Sequence, residues 1–480
     1  MTEIKARLIT AAVGELIIET SYHLPADVRK ALREAYEKEH SERARYILGE
    51  CIRNYQTADR GEYPLCQDTG TALFFVEVGE EVFVDGNLNE AINLGVKNAY
   101  EVGYLRKSLV NDPIFDRINT KNNTPAVIYI RYVKGSDIKI SFLAKGGGGE
   151  NCSGLRMLTP SRGPEGVIGA VADIVREAGG KPCPPTVIGV GIGATADEAM
   201  VLSKWALLRK IGERHPDPRY ADMELKILAK INESGIGPQG LGGAASAFGV
   251  HIEARPCHIA SMPVGVSVNC HSQRHGTVTV GENGFVVERE EEIADEREVC
   301  EPAGKIKRLN MPLTVDDVLS LRAGDIVSLN GVIYTARDAA HKRLAEAIGA
   351  NKKLPFDMEG QGIYYAGPSP ERPGKPIGSC GPTTSDRMDG FTEDILKQGV
   401  RAMIGKGPRS RETLELMRRY PAVYLANVGG AAAVTAEKIK SAVVVAYEEL
   451  GPEAIRRLEV EDFICIVAAD SYGSDLYGSG

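Results

Sequence analysis

Cysteine is the residue type whose placement in this sequence most plainly invites chemistry. The 480 residues include nine cysteines, at positions 51, 66, 152, 183, 257, 270, 300, 380 and 465, with no CxxC pair among them. Zinc ribbons and ferredoxin-type clusters draw on closely spaced pairs, so a metal site here has to gather single thiols from distant loops. An odd number of cysteines spread along so long a chain also predicts no disulfide framework. Tyr63-Pro64-Leu65-Cys66-Gln67-Asp68-Thr69-Gly70-Thr71 puts a thiol beside an amide, a carboxylate and a hydroxyl, and contains a turn-forming glycine. Pro182-Cys183-Pro184-Pro185 presents a thiol on a loop stiffened by three prolines. The stretch from Arg255 to Arg274 holds Cys257-His258 and Cys270-His271. Adjacent Cys-His couples do not have the paired spacing of a zinc site. For each segment the competing reading is a polar turn or a small buried hydrophobe, and residue type alone leaves both open.

The second half of the chain supplies cations next to hydroxyls. They occur in Arg337-Asp338-Ala339-Ala340-His341-Lys342-Arg343, in Gly381-Pro382-Thr383-Thr384-Ser385-Asp386-Arg387 and in Gly405-Lys406-Gly407. Guanidinium forks grip carboxylates bidentately, which suits a dicarboxylic substrate; taken singly, each arginine also reads as a surface ion-pair partner. Gly146 to Gly149 offers backbone N–H groups to an anion. Gly189, Gly191 and Ala194 imitate a GxGxxA fingerprint, yet the acidic residue due about 20 positions later is missing. That region reads Arg209-Lys210-Ile211-Gly212-Glu213-Arg214, so no nucleotide site is expected.

Groups scattered this widely need a folded scaffold to bring them together. With 43% apolar and 25% charged residues, the composition is that of a soluble folded protein and excludes disordered and membrane classes. A net charge of −8 leaves no basic surface for a phosphate backbone, so nucleic acid is not an expected partner. The opening residues are interrupted as on an amphipathic helix, and no run of about 18 apolar residues occurs. These patterns predict no secretory signal, no membrane span and a cytoplasmic location. Fifty-three glycines against 6% aromatics point to loops shaped by main chain.

Pro25-Ala26-Asp27 opens a helical pattern continued by Ala44, Ile47, Leu48 and Ile52, and the first hundred residues read mostly as helix. Strands are expected at 126–133, 138–143 and 186–193, followed by a helix from Ala196 to about Lys210 with Thr195 as its cap. From Glu288 to Glu298 seven acids and two arginines mark a solvated linker. Beyond it, strand patterns at 325–334 and 402–404 and helix patterns at 339–347 and 392–399 imply a separate α/β domain. The expected organisation is α/β with two domains: a larger N-terminal mixed domain with much helix at 1–287, an acidic linker at 288–305, and a smaller C-terminal α/β domain at 306–480.

As a set and in this order, CQDTG, KGGGGEN, CPPTVIGVGIG, PVGVSVNC, ARDAAHKR, PIGSCGPTTSDRMD and MIGKG resemble the class I, iron–sulfur-dependent fumarate hydratases. The arrangement is similar to that in which an α-type and a β-type part form one chain, and it covers most of the sequence. The resemblance implies a [4Fe–4S] cluster bound by Cys66, Cys183 and Cys270, with one iron left open to act as Lewis acid on a substrate hydroxyl and carboxylate. It implies reversible hydration of fumarate to S-malate, a tricarboxylic acid cycle step, with the related L-tartrate dehydratases and mesaconate hydratase as alternative activities. From a different class, a non-enzymatic iron–sulfur redox sensor would need the cluster but not the cationic residues around it.

Thr383 matches the proton-abstracting residue, and Asp68 and His258 match groups that manage protons. Gln67, Arg106, Arg337, Arg387 and Lys406 match substrate contacts, with a backbone contact from the loop at Gly146 and Gly147. The family also implies a homodimer and a swivelling second domain.

Overall fold

The computed structural model describes residues 1–289, 299 and 306–478. The amphipathic opening folds as the helix Ala6–Tyr22, whose buried stripe includes Ile9, Val13, Leu16 and Ile17. With the helix Leu88–Val102 it covers one face of a five-stranded sheet. The strand order is Gly284–Val287, His275–Gly281, Ile138–Lys145, Thr71–Gly79 and Val127–Val133. Period-two alternation divides the central strands: Phe74, Val76 and Phe142 face the helices, while Leu73, Phe75 and Leu143 pack on Val187 and Leu207 behind. Thr71–Gly79 breaks the helical reading of the first hundred residues.

Val187 belongs to a second sheet, in the order Gly154–Leu158, Met262–Asn269, Thr186–Gly193 and Ala247–Arg255. Every residue of Thr186–Gly193 is buried, as its uninterrupted apolar, glycine-rich sequence requires. The helix after it runs from Ala196 to Ala206 and stops short of Lys210. Leu207 turns inward to the core between the sheets, and the Gln273 carboxamide donates to its carbonyl at 2.8 Å. Thr195 occupies the N-cap position without making a side-chain capping bond.

The second half builds a seven-stranded sheet in the order Lys307–Asn310, Ile326–Thr335, Gly362–Tyr364, Ala402–Gly405, Val423–Ala426, Ile455–Ala469 and Ile439–Ala446. Ile326–Thr335 also pairs antiparallel with Ile455–Ala469, which closes five of these strands into a ring. The largest core cluster joins this ring to Leu32, Ile47, Leu48, Ile52 and Tyr55 on the helices Ala26–Lys38 and Glu42–Ala58. The molecule is therefore mixed α/β, with two helices of the first half packed into the core of the second. The acidic stretch 288–305 lies outside the described residues except at 288, 289 and 299. Among the described residues no helix is long and apolar enough to cross a membrane.

Candidate active site

Cys66 stands on the loop that joins the helix Glu42–Ala58 to the strand Thr71–Gly79. Cys183 stands on the loop between the helix Gly163–Ala178 and the strand Thr186–Gly193, and Cys270 directly follows the strand Met262–Asn269. Burial pushes all three thiols up, and each lies near enough to another of the three to feel its charge. Lys406 opposes the rise at Cys183, where its Nζ donates to Sγ at 2.6 Å. Every cysteine among the described residues is free. Among those residues no group of three or more His, Cys, Asp or Glu is close enough to hold one metal ion.

Two further features agree with an anionic group among these sulfurs. His271 Nε2, Ser272 Oγ, and Arg274 Nε and Nη1 are buried beside Cys270 without a hydrogen-bond partner in the protein. Burial alone would lower the Lys406 ammonium, but the negative charge that the sulfurs of Cys183, Cys270 and Cys66 carry when ionised outweighs it and holds the ammonium above its ordinary range. Soft sulfur donors ringed by unpaired N–H groups and a fixed cation suit an iron–sulfur group.

Asp68 is two residues from Cys66. Burial would raise its carboxyl, but Arg106 and Arg274, with N–H donation from Gly147 and Gly70, hold it below the usual range. The Arg106 guanidinium lies 3.1 Å from Oδ1, and Gly147 N donates to Oδ2 at 2.9 Å. Arg274 donates to the Asp68 carbonyl at 2.6 Å. A Cβ at Gly146 would come within 3.4 Å of Asp68 Oδ2, and one at Gly148 within 3.4 Å of Lys406 Nζ. Side chains on this loop would thus intrude between the carboxylate and the ammonium.

The remaining cations come mostly from the second half. Thr383 Oγ1 accepts a hydrogen bond from Arg387, whose Nε is 3.5 Å from Asp338. Lys406 N donates to the Thr383 carbonyl at 3.2 Å, tying the two segments together. Arg337 is paired with Glu453 at 3.4 Å and keeps a buried Nε without a partner. Arg106, from the first half, donates to the carbonyl of Gly367 at 2.8 Å, and a Cβ on Gly367 would meet Arg337.

Three buried carboxamides of the first half grip the second through main-chain atoms. Gln67 accepts from Gly381 N at 3.1 Å and donates to the Pro382 carbonyl at 3.5 Å. Gln239 donates to the Gly429 carbonyl and accepts from its N–H, both at 3.0 Å. Asn54 donates to the carbonyls of Leu65 and Gly430 and accepts from Ala433 N at 2.9 Å.

The structure thus gathers Cys66, Cys183, Cys270, Gln67, Asp68, Arg106, Gly146, Gly147, Thr383, Arg387, Lys406 and Arg337 around one seam. His258 lies apart on an exposed loop, where its Nδ1 accepts only from Ala260 N at 3.1 Å. Arg274, Gln239 and Asn54 were not singled out from the sequence. Arg274 lies in the quoted Cys270 segment, but nothing local distinguishes it from a surface arginine; for the two carboxamides the sequence carries no signal.

Comparison with known proteins adds an independent line. A family profile described as fumarate hydratase (fumerase) matches residues 10–279, and one described as fumarase C-terminus matches residues 283–480. The chain is 32% identical to the anaerobic class I fumarate hydratase of Escherichia coli K12, across 99% of this chain and 90% of the relative. It is also 32% identical to a putative class I fumarate hydratase of Geobacillus stearothermophilus, across 96% and 94%. A putative L(+)-tartrate dehydratase subunit alpha of Methanocaldococcus jannaschii is 44% identical over 55% of this chain and 95% of its own length.

Proposed function

The chain belongs to the class I fumarate hydratase family and is a hydro-lyase, and from that premise we propose that it interconverts fumarate and S-malate with a [4Fe–4S] cluster held by Cys66, Cys183 and Cys270. The observation that carries the reading is the meeting of the buried thiols of Cys66 and Cys183 and the half-buried thiol of Cys270 with Lys406, Thr383 and Arg387 across the seam between the two halves. Bound there, the cluster would supply an open iron as Lewis acid for the hydroxyl that leaves or arrives. The donor set fits it, with the unpaired N–H groups of Arg274 Nε and Nη1 available to its sulfurs.

The protein's own groups supply the rest. Arg106, Arg337, Arg387 and Lys406 hold the two carboxylates of the diacid, fixing which carbon faces Thr383. Asp68, kept ionised, anchors Arg106 and the Gly147 N–H and so sets the position of the substrate's backbone contact at Gly146 and Gly147. Gln67 joins that pocket to the Gly381-Pro382 segment. Thr383 Oγ1 takes the proton from the carbon beside the carboxylate during dehydration. A hydroxyl is a weak base, and Arg387 donating to Oγ1 stabilises its deprotonated form. Asp68 manages the proton of the departing hydroxyl, and His258, on its exposed loop, is the second group assigned to that task by the family resemblance.

In this reading residues 1–287 form a cluster-binding domain, 288–305 a linker, and 306–480 a swivelling domain that brings the cations to the cluster. We place the protein in the cytoplasm as a homodimer serving the tricarboxylic acid cycle. The similarity to a tartrate dehydratase alpha subunit favours one second reading, dehydration of L-tartrate at the same site, because the cationic clamps recognise either diacid. Anaerobic purification, with assays of iron, sulfide and turnover of fumarate, L-tartrate and mesaconate, tests both. Fumarate turnover by iron-loaded protein is the expected result. Turnover of another diacid alone overturns the substrate, and an iron-loaded protein that ignores all three points to a sensor.

A further inference from the structure

The segment after the last strand of the ring is folded back towards the site. Asp470 accepts the N–H groups of Tyr472 and Ser474 through Oδ1 at 2.9 and 3.0 Å, and that of Ala323 through Oδ2 at 3.0 Å, which fixes a turn. Asp475 then bridges back to Ala469, and Leu476 N donates to the Ala468 carbonyl at 2.9 Å. Asp475 Oδ1 takes the N–H of Tyr477 at 3.1 Å. The turn thereby delivers one phenol into the seam.

Its surroundings belong to both halves. Cβ atoms built on Gly180 and Gly240 would reach within 3.0 and 3.3 Å of Tyr477 Cε1, so the ring lies against the loop that carries Cys183. Its oxygen accepts the N–H of Gly407 at 3.1 Å. The Gly407 carbonyl accepts from the Tyr424 hydroxyl at 2.8 Å, and Tyr424 is in turn bonded to Ser385 Oγ at 2.9 Å. Both main-chain polar groups of Gly407, the residue after Lys406, are therefore held by phenols. The Lys406 carbonyl accepts from Ser385 N at 2.9 Å, so the sheet side of the turn is already fixed, and among the described residues Tyr477 supplies the bond to the Gly407 N–H from the other side.

We infer that Tyr477 is a positioning residue: its oxygen fixes the Lys406–Gly407 turn against the Gly180–Cys183 loop and so sets where the Lys406 ammonium meets the substrate carboxylate. A flexible four-carbon stem magnifies any tilt of the backbone that bears it, so a bond one residue away governs the clamp. The inference rests on the clamp role proposed for Lys406.

Tyr477→Phe in the full chain removes the oxygen and keeps the ring. The expected result is a rise of about fivefold in KM for fumarate, the worth of one net neutral hydrogen bond, with kcat, iron content and thermal midpoint little changed. In the metal-free protein, amide exchange of a peptide spanning 403–409 should accelerate while that of 186–193 does not. Unchanged KM, with or without faster exchange, overturns the inference, as does a changed KM with unchanged exchange. Tyr477→Ala, which also removes the ring, should raise KM further; an alanine variant no worse than phenylalanine removes the ring contact from the argument. A wild-type chain that turns over no diacid sinks the reading of the reaction instead, and exchange then decides whether Tyr477 holds the turn.

Discussion

Cys183 is held from two sides: Lys406 donates to its sulfur, and the His271 imidazole lies 3.1 Å from its carbonyl through Nδ1. Serine in its place keeps the loop but offers a harder donor that binds iron–sulfur groups poorly. Cys183→Ser should therefore lose the visible absorbance of the purified holoenzyme together with most of its iron; full retention of both would remove Cys183 from the ligand set. Arg387 acts at a different point, donating to Thr383 Oγ1. Arg387→Ala should lower kcat by about 10²–10⁴-fold, the usual worth of a positioned proton-transfer group, with iron content intact. Kinetics identical to wild type would contradict that role. These residues were legible because each sits in a motif of unusual composition. Arg274 was not, since its function arises from a carbonyl 206 positions away and from buried nitrogens that only the fold exposes.

At the level of elements, the glycines of Thr186–Gly193 show what local pattern means once packing is known. A Cβ at Gly189 or Gly191 would overlap the carbonyl oxygens of Ser203 and Ala199, so these glycines admit the helix Ala196–Ala206 against the strand. Their imitation of a nucleotide fingerprint is the by-product of this close approach. Gly189→Ala should destabilise by about 1–3 kcal/mol as the helix is forced outward, read as a lower urea midpoint; an unchanged midpoint would show that the helix yields freely. Strands at 138–145 and 186–193 and the helices at 26–38 and 338–349 announced themselves through residue type and period. Thr71–Gly79 did not, because its pattern is mostly apolar and follows a polar loop. The early end at Ala206 is likewise a tertiary decision, made by Gln273 and by the burial of Leu207.

Across the whole molecule, each half buries a neutral histidine. Burial, with Arg209 and Arg214 nearby, pushes His251 down to about 3, and burial pushes His341 down to about 4. Below about pH 6.5 the unfolded chain takes up protons that the folded chain refuses. Their share of stability is full above that pH and drains away as pH falls towards 4 and then 3. The urea midpoint should fall between pH 7 and pH 5, and His251→Leu, whose ring nitrogens have no partners to lose, should flatten that slope. An equal slope in the variant would contradict the assignment. The same whole-molecule view shows how the halves know each other. Asn54, Gln67 and Gln239 all reach across to amides and carbonyls, groups that every residue but proline carries in full. What these clamps recognise is a path of backbone and not the letters written along it. The residues that carry those amides and carbonyls can change without undoing these three bonds, so a hybrid gene pairing this first half with a second half from a distant relative is expected to fail, where it fails, at the side-chain contacts: the core shared with Ile47 and Ile52, and Lys406 on Cys183.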